Sequence, residues 1–297
     1  MTGPLVSVVI PTYNRARTLR RAIDSAAGQD VAGGVEIVVV DNASSDDTEA
    51  VIEEARRDVP GLVYRRWDEN VGPVENWRRG IELSRGPWTK VLWSDDWLEP
   101  SAVRSLLDLT RDGAVTVTCQ ALVHGPDGER VAYSGRRHSF GAKDVLCGLI
   151  SPDEVLPFSP AAGLVRRSDA LAGLAQALPG PCTRKAIGPD VALFYWGVLT
   201  GGRGEHLPVP LAHFDAKHGS ISVDEGARML RACYDSSLMA LAGAAGATVP
   251  TEVQRRVSHR SAMLRRQGVP EDALHPGGRL SVRELVASGR RKAKGML

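Results

Sequence analysis

The stretch VLWSDDWLEP (91–100) sets two neighbouring aspartates, Asp95 and Asp96, after an apolar run and between two tryptophans. Consecutive Cα atoms lie about 4 Å apart. Two like charges so close at the end of a buried strand disfavour each other's ionised form. A hard divalent cation, Mg2+ or Mn2+, removes that penalty, because it takes carboxylate oxygens and shares its other positions with substrate phosphates. The triplet Ser94-Asp95-Asp96 equally suits a solvated turn or a helix N-cap. Two more polar clusters follow apolar runs in the same way, PTYNR (11–15) and DNASSDD (41–47). Asp41 can accept a hydrogen bond from a nucleobase imino N–H or a ribose hydroxyl, or it can close an Asx turn with the Asn-Ala-Ser-Ser that follows. Thr12, Tyr13 and Asn14 fit the same crevice, and Tyr13 offers a face on which a base can stack.

These clusters need elements to hold them. PLVSVVIP (4–11) reads as a strand stopped by Pro11, and residues 17–27 as a helix burying Leu19, Ala22, Ile23 and Ala26. VEIVVVD (35–41) is too apolar for a half-exposed strand, which predicts a central place in a parallel sheet. A helix from Ser45-Asp46-Asp47-Thr48, a strand LVYRRW (62–67), a helix within 70–86 and a strand WTKVLW (88–93) continue the alternation. Such alternation predicts a doubly wound open sheet, in which ligands bind beyond the carboxyl ends of the strands. No GxGxxG or GxxxxGK follows the first strand, which argues against a dinucleotide enzyme or a P-loop ATPase. Further on, 115–131 reads as a hairpin, 159–174 as a strand entering a helix, 188–202 as an amphipathic helix opened by Asp190, 206–222 as extended, and the chain after Asp224 as helices.

The 297 residues are 43% hydrophobic and 24% charged, enough for one large α/β domain or two modest ones. A net charge of +2 gives no reason to expect a nucleic-acid partner. From Val253 to Leu297, however, 11 Lys/Arg face 3 Asp/Glu. That basic segment suits a solvated helical tail, or a peripheral contact with a membrane surface or an acidic ligand. Cys119, Cys147, Cys182 and Cys233 show neither CxxC nor metal spacing, which fits free thiols in a reducing cytoplasm. The N-terminus has no basic start of the signal-peptide kind, and no apolar run reaches the ~18 residues of a membrane span. A cytoplasmic location is therefore expected.

SVVIPTYNR (7–15), IVVVDNASSDDT (37–48), ENVGPVENWRRGIELSRG (69–86) and VLWSDDWLEP (91–100), in this order, resemble the family 2 glycosyltransferases of GT-A fold. The resemblance continues more weakly through GPDVALFYWGVLTGG (188–202) and PLAHFDAKHGSIS (210–222). It implies a mixed α/β sheet flanked by helices with a C-terminal helical extension. Pro11, Thr12, Tyr13, Asn14, Asp41, Asn76 and Asp95 would contact the donor, with Asp41 at the base and Asp95 at the ribose. Asp96 would be the direct metal ligand, with Asp95 and His218 beside it, and Asp190 the general base. Trp93 stands where the family often has another aspartate, so the roles of Asp95 and Asp96 are not separated by this pattern.

The implied reaction displaces a nucleoside diphosphate (UDP, dTDP or GDP) from a sugar. A cation meets the charge that develops on phosphate, and a carboxylate takes the acceptor's proton. One attack from the far face inverts the anomeric centre. The expected acceptor is a glycan, a lipid-linked sugar or a small-molecule aglycone. Asp169 and Asp215 are the other candidate bases in the second half. The division expected is 1–110 for the donor, 111–222 for acceptor and base, and 223–297 as the extension. A sugar nucleotidyltransferase and a non-catalytic nucleotide-sugar-binding protein are the alternatives; the first would carry a glycine-rich basic loop that PTYNRARTLRR lacks, and the second would need no Asp190.

Overall fold

The computed structural model of the chain describes residues 5–136, 138–148, 156–157, 159–216 and 226–275. The first half runs β1 (Val6–Thr12), α1 (Ala16–Ala27), β2 (Glu36–Asp41), α2 (Thr48–Asp58), β3 (Val63–Arg66), α3 (Pro73–Leu83), β4 (Trp88–Val91), β5 (Trp97–Leu98) and α4 (Ala102–Asp108). The second half runs β6 (Thr116–Gly125), β7 (Gly128–Ala132), β8 (His138–Phe140), α5 (Ala142–Gly148), β9 (Gly163–Arg166), α6 (Arg167–Leu174), α7 (Gly180–Arg184), α8 (Pro189–Leu199) and β10 (Gly204–Asp215). Two longer helices follow, α9 (Gly226–Ala244) and α10 (Thr251–Arg266).

One sheet carries the order β3-β2-β1-β4-β9-β6-β10-β5, with β7 on β6 and β8 on β10. The β1/β2, β2/β3, β1/β4 and β6/β10 pairings are parallel, whereas β9 runs against both β4 and β6. Six strands therefore share a direction, and β1, β2, β4 and β10 deliver the Thr12, Asp41, Ser94–Asp96 and Asp215 segments to one edge. Strand order reverses beside β1, where open α/β sheets have their ligand crevice.

Both faces of the first strands are covered, which explains their near-continuous apolar runs. Ile37 and Val39 of β2 pack with α1 residues Leu19, Ala22, Ile23 and Ala26, while Val38 and Val40 point into a second core shared with α3 and α8. The four α1 residues expected on its inner face are those that are buried.

Two readings need correction. Pro11 does not stop β1, which continues to Thr12. Leu92 N–H donates to Val9 C=O on the β4 side, and the β1/β4 pairing ends at Val9. Two residues on, Pro11 turns its missing N–H to that same side, where there is no ladder left to break. Nor is α8 amphipathic: every residue from Pro189 to Leu199 except Trp196 is buried. It lies between the sheet and helices α5, α6 and α9, and a helix apolar all round is the sequence form of a buried one. The short elements β5, β8, α5 and α7 had no periodicity long enough to be read.

Buried charge is compensated locally. Glu36 accepts bonds from Ser7 Oγ and from Arg85 N and Nε. Lys90 is fully buried, and its Nζ donates to the Ala161 and Gly163 carbonyls at 2.7 and 3.0 Å. Arg260 of α10 grips Asp235 of α9 with two hydrogen bonds of 2.6 and 2.7 Å. Cys119, Cys182 and Cys233 are buried and Cys147 partly buried, and none of the four forms a disulfide.

Candidate active site

The ends of β1 and β2 are latched to each other before they reach any ligand. Asn14 sits in the left-handed region at φ 53°. There its N–H donates to Ser44 Oγ at 2.9 Å while its Oδ1 accepts from Ser45 N–H at 2.8 Å. Asparagine tolerates that conformation better than most residues. Ala16 N–H and Thr48 N–H both donate to Asp46, which holds the start of α1 against α2.

A cleft of about 660 Å3 opens over these ends. It is lined by Pro11, Thr12, Tyr13, Asn14 and Arg15 at the end of β1, by Pro73, Asn76 and Trp77 of α3, and by Asn42 and Asn70. Trp93, Ser94 and Asp95 after β4, and Ala186, Ile187, Asp190 and Tyr234 from the second half, complete its lining. Thr12 Oγ1 is buried with no hydrogen-bond partner, which is what a hydroxyl that awaits a ligand looks like. Tyr13 is 45% exposed, so its ring is open to stacking. Asn76 is engaged at both ends, accepting from Trp67 Nε1 and donating to Val40 C=O.

Of the residues singled out in the sequence, Pro11, Thr12, Tyr13, Asn14, Asn76, Asp95 and Asp190 line this one cleft. Asp41 does not line it. Its carboxylate is fully buried, accepting from Ser44 N–H and Oγ and from Tyr64 OH, with Arg66 Nε at 3.8 Å. Asp96 lies behind Asp95, 5% exposed, and accepts from Asp215 N–H at 3.2 Å. Asp215 pairs with Arg21, whose guanidinium stacks 3.8 Å over Trp97 and also donates to Asp95 C=O. Neither Asp215 nor Asp169 lines the cleft. His218 lies outside the described residues.

The acidic pair is electrostatically loaded. Burial raises the Asp95 carboxyl above its ordinary value, opposed by Arg15, whose Nε is 3.9 Å away. Burial, and then the charge of Asp95, hold the Asp96 carboxyl well above its own. A divalent cation fits such a pair, because it favours both ionised forms at once. Among the described residues no group of three or more His, Cys, Asp or Glu side chains converges. Two carboxylates leave most positions of such a cation to phosphate oxygens and water, the usual arrangement for Mg2+.

Asp190 is placed by its own turn. Gly188 stands at φ 106°, a region that favours glycine, and a Cβ there would meet Ser237 Oγ at 2.1 Å. The Gly188 and Val191 N–H groups donate to Asp190 Oδ1 at 2.7 and 2.9 Å, and Tyr234 OH donates to Oδ2 at 2.9 Å. Burial pushes the Asp190 carboxyl up to about 6, against the pull of these donors. A carboxylate of that basicity is ionised at neutral pH and can still take a proton. Tyr234, Trp77, Asn42 and Asn70 were not singled out from the sequence. Tyr234 is 44 residues from its partner, and no local pattern signals that contact.

A mostly parallel sheet with its cleft at the reversal beside β1 is the arrangement of the GT-A fold, which solved structures share with this chain. S. aureus TarS (residues 1–349, with UDP-GlcNAc) superposes with TM-score 0.62 at 16% identity, over 90% of this chain and 82% of that one. The mannosyltransferase PcManGT of Pyrobaculum calidifontis, with GDP-Man and Mn2+, gives 0.56 at 16% identity over 98% and 80%. The chain belongs to glycosyl transferase family 2, whose model matches residues 7–170. It is 31% identical over 134 residues to the GalNAc(5)-diNAcBac-PP-undecaprenol beta-1,3-glucosyltransferase of Campylobacter jejuni, 45% of this chain and 43% of the relative. It is 35% identical over 104 residues to the abequosyltransferase RfbV of Salmonella typhimurium, 34% of this chain and 31% of the relative. The matched part thus spans less than half the length of either relative. No helix among the described residues is long and apolar enough to cross a membrane.

Proposed function

We propose that this chain moves a sugar from a nucleoside-diphosphate donor to an acceptor hydroxyl with inversion at the anomeric carbon. The observation that carries the reading is the meeting, in one cleft, of the β1 end and Asp95 with a buried carboxylate whose affinity for a proton is raised. Asp190 takes the acceptor's proton as that oxygen bonds to the anomeric carbon, and the bond to the diphosphate breaks with its electron pair leaving on phosphate oxygen. Asp95 and Asp96, with His218, would hold Mg2+ or Mn2+, which when bound meets the charge on the departing diphosphate. Thr12, Tyr13 and Asn14 bind the nucleoside, Asn76 shapes the wall beside it, and Asp41 sets the base preference through the Ser44 turn. Residues 1–110 thereby serve the donor, 111–222 the acceptor and base, and 223–297 extend the second half.

The acceptor class proposed is a lipid-linked sugar. The Campylobacter relative's name specifies an undecaprenol-diphosphate acceptor, and the basic segment from Val253 onward suits an anionic lipid surface. Thermal shifts with UDP, dTDP, GDP and CDP, each with and without Mn2+, identify the leaving group. Asp190→Asn should then lower transfer about 10²–10⁴-fold, the usual worth of a positioned base, with nucleotide affinity unchanged. Near-normal turnover by that variant, or retained configuration in the product by NMR, overturns the reading.

A further inference from the structure

Each oxygen of a carboxylate has two lone pairs. Asp190 Oδ1 spends both on the Gly188 and Val191 N–H groups. Oδ2 accepts one bond, from the Tyr234 phenol, and so keeps one lone pair. Oδ2 therefore has room for one further donor, which is what a base needs in order to receive a hydroxyl proton. Tyr234 stands on α9, in the helical extension that follows the matched family segment, and lines the cleft together with Asp190.

We propose that Tyr234 is the positioning residue of the base, holding Asp190 Oδ2 aimed at the acceptor from the neighbouring helix α9. The proposal rests on the reading of Asp190 as the base. It has a definite electrostatic consequence. Burial raises the Asp190 carboxyl, and the phenol is the largest influence that lowers it again. Without the phenol, the carboxylate would take up its proton at a higher pH and fewer molecules would carry a competent base. Among the described residues, Tyr133 and Cys233 are further titratable groups that act on Tyr234. Cys182, one step further off, has its thiol drawn down to about 7 by Cys233. Asp235, next on the helix, is engaged by Arg260.

The test reads the carboxyl directly and needs no donor or acceptor. Full-length protein labelled with 13C at the aspartate carboxyls is titrated by NMR over about pH 4–8. The resonance missing from Asp190→Asn identifies the group. Tyr234→Phe should raise its midpoint by about one pH unit, the effect of losing one hydrogen bond to a charged group. Cys182→Ser should leave it in place. Site-specific 3-fluorotyrosine at 234, a stronger donor of nearly the same shape, should move it down, so a second variant of opposite sign stands behind the first. The ascending pH limb of kcat/KM, with the sugar nucleotide that turns over, should move in step.

A midpoint unmoved by both Tyr234 changes overturns the proposal, even if Asp190→Asn has lost transfer and the base reading stands. Full transfer by Asp190→Asn overturns the base reading, and with it the role of Tyr234, whatever the NMR midpoint does.

Discussion

Asp190→Asn should make the protein more stable at neutral pH while it removes the proposed base. The asparagine Oδ1 can still accept from Gly188 and Val191, and its amide can donate to the Tyr234 oxygen, so the turn keeps its bonds. What disappears is the cost of a buried charge. The carboxyl stands at about 6 in the folded chain against 3.8 in the unfolded one. Between those values the folded state binds more protons, so wild-type stability falls as pH rises through this window. A gap of about two units at ~1.4 kcal/mol each is ~3 kcal/mol at pH 7.5 and close to nothing near pH 3.5. Urea unfolding of both proteins at the two pH values, with equal m-values, measures it. The variant's midpoint should exceed the wild type's at neutral pH, and the difference should vanish in acid. An equal difference at both pH values, or a variant weaker than wild type at pH 7.5, would refute the reasoning. The carboxyl would then not be held against burial.

Asp96→Ala, or excess chelator, should abolish transfer and weaken nucleoside-diphosphate binding strongly while nucleoside binding weakens little; calorimetry with both ligands separates the two. Asp41→Asn should alter the order of preference among UDP, dTDP, GDP and CDP by changing the Ser44 turn that the carboxylate holds; an unchanged order in the thermal-shift screen leaves Asp41 a turn-former with Ser44 and Tyr64. Deleting residues 280–297 should reduce binding to anionic vesicles in a salt-sensitive manner and leave nucleotide affinity intact. Vesicles that fail to bind the intact protein at low salt remove the membrane contact from the proposal.

The first hundred residues were legible because a parallel sheet concentrates its information. Strands covered on both faces leave unbroken apolar runs, and the polar residues that follow each run, at Thr12, Asp41 and Asp95, are the ones the fold gathers at one edge. The helix α1 was legible because one stripe is buried and the rest is wet. The same logic failed for α8, which has no wet side to give it a period. It failed for Asp41 in another way: the sequence places it at a strand end but does not say that Ser44, Tyr64 and Arg66 will close over it. Tyr234 was out of reach for a third reason. Its partner is fixed by how α8 and α9 pack, and packing between distant segments leaves no mark in either segment alone.

The antiparallel strand β9 joins the two sides of the sheet by very little. It pairs with β4 at two positions, Trp88 with Arg166 and Thr89 with Val165, and with β6 at three. Lys90, buried beneath, ties its Nζ to the Ala161 and Gly163 carbonyls across the junction. The chain leaves β9 into α6, which packs on α8, the helix that presents Asp190. Slipping β9 by one residue would move it about 3.3 Å and turn its side chains to the opposite face. Asp190 would travel with it relative to Asp95. The span from Asp95 to Asp190 is therefore a matter of register, a ruler whose graduations are five backbone pairings and one buried ammonium.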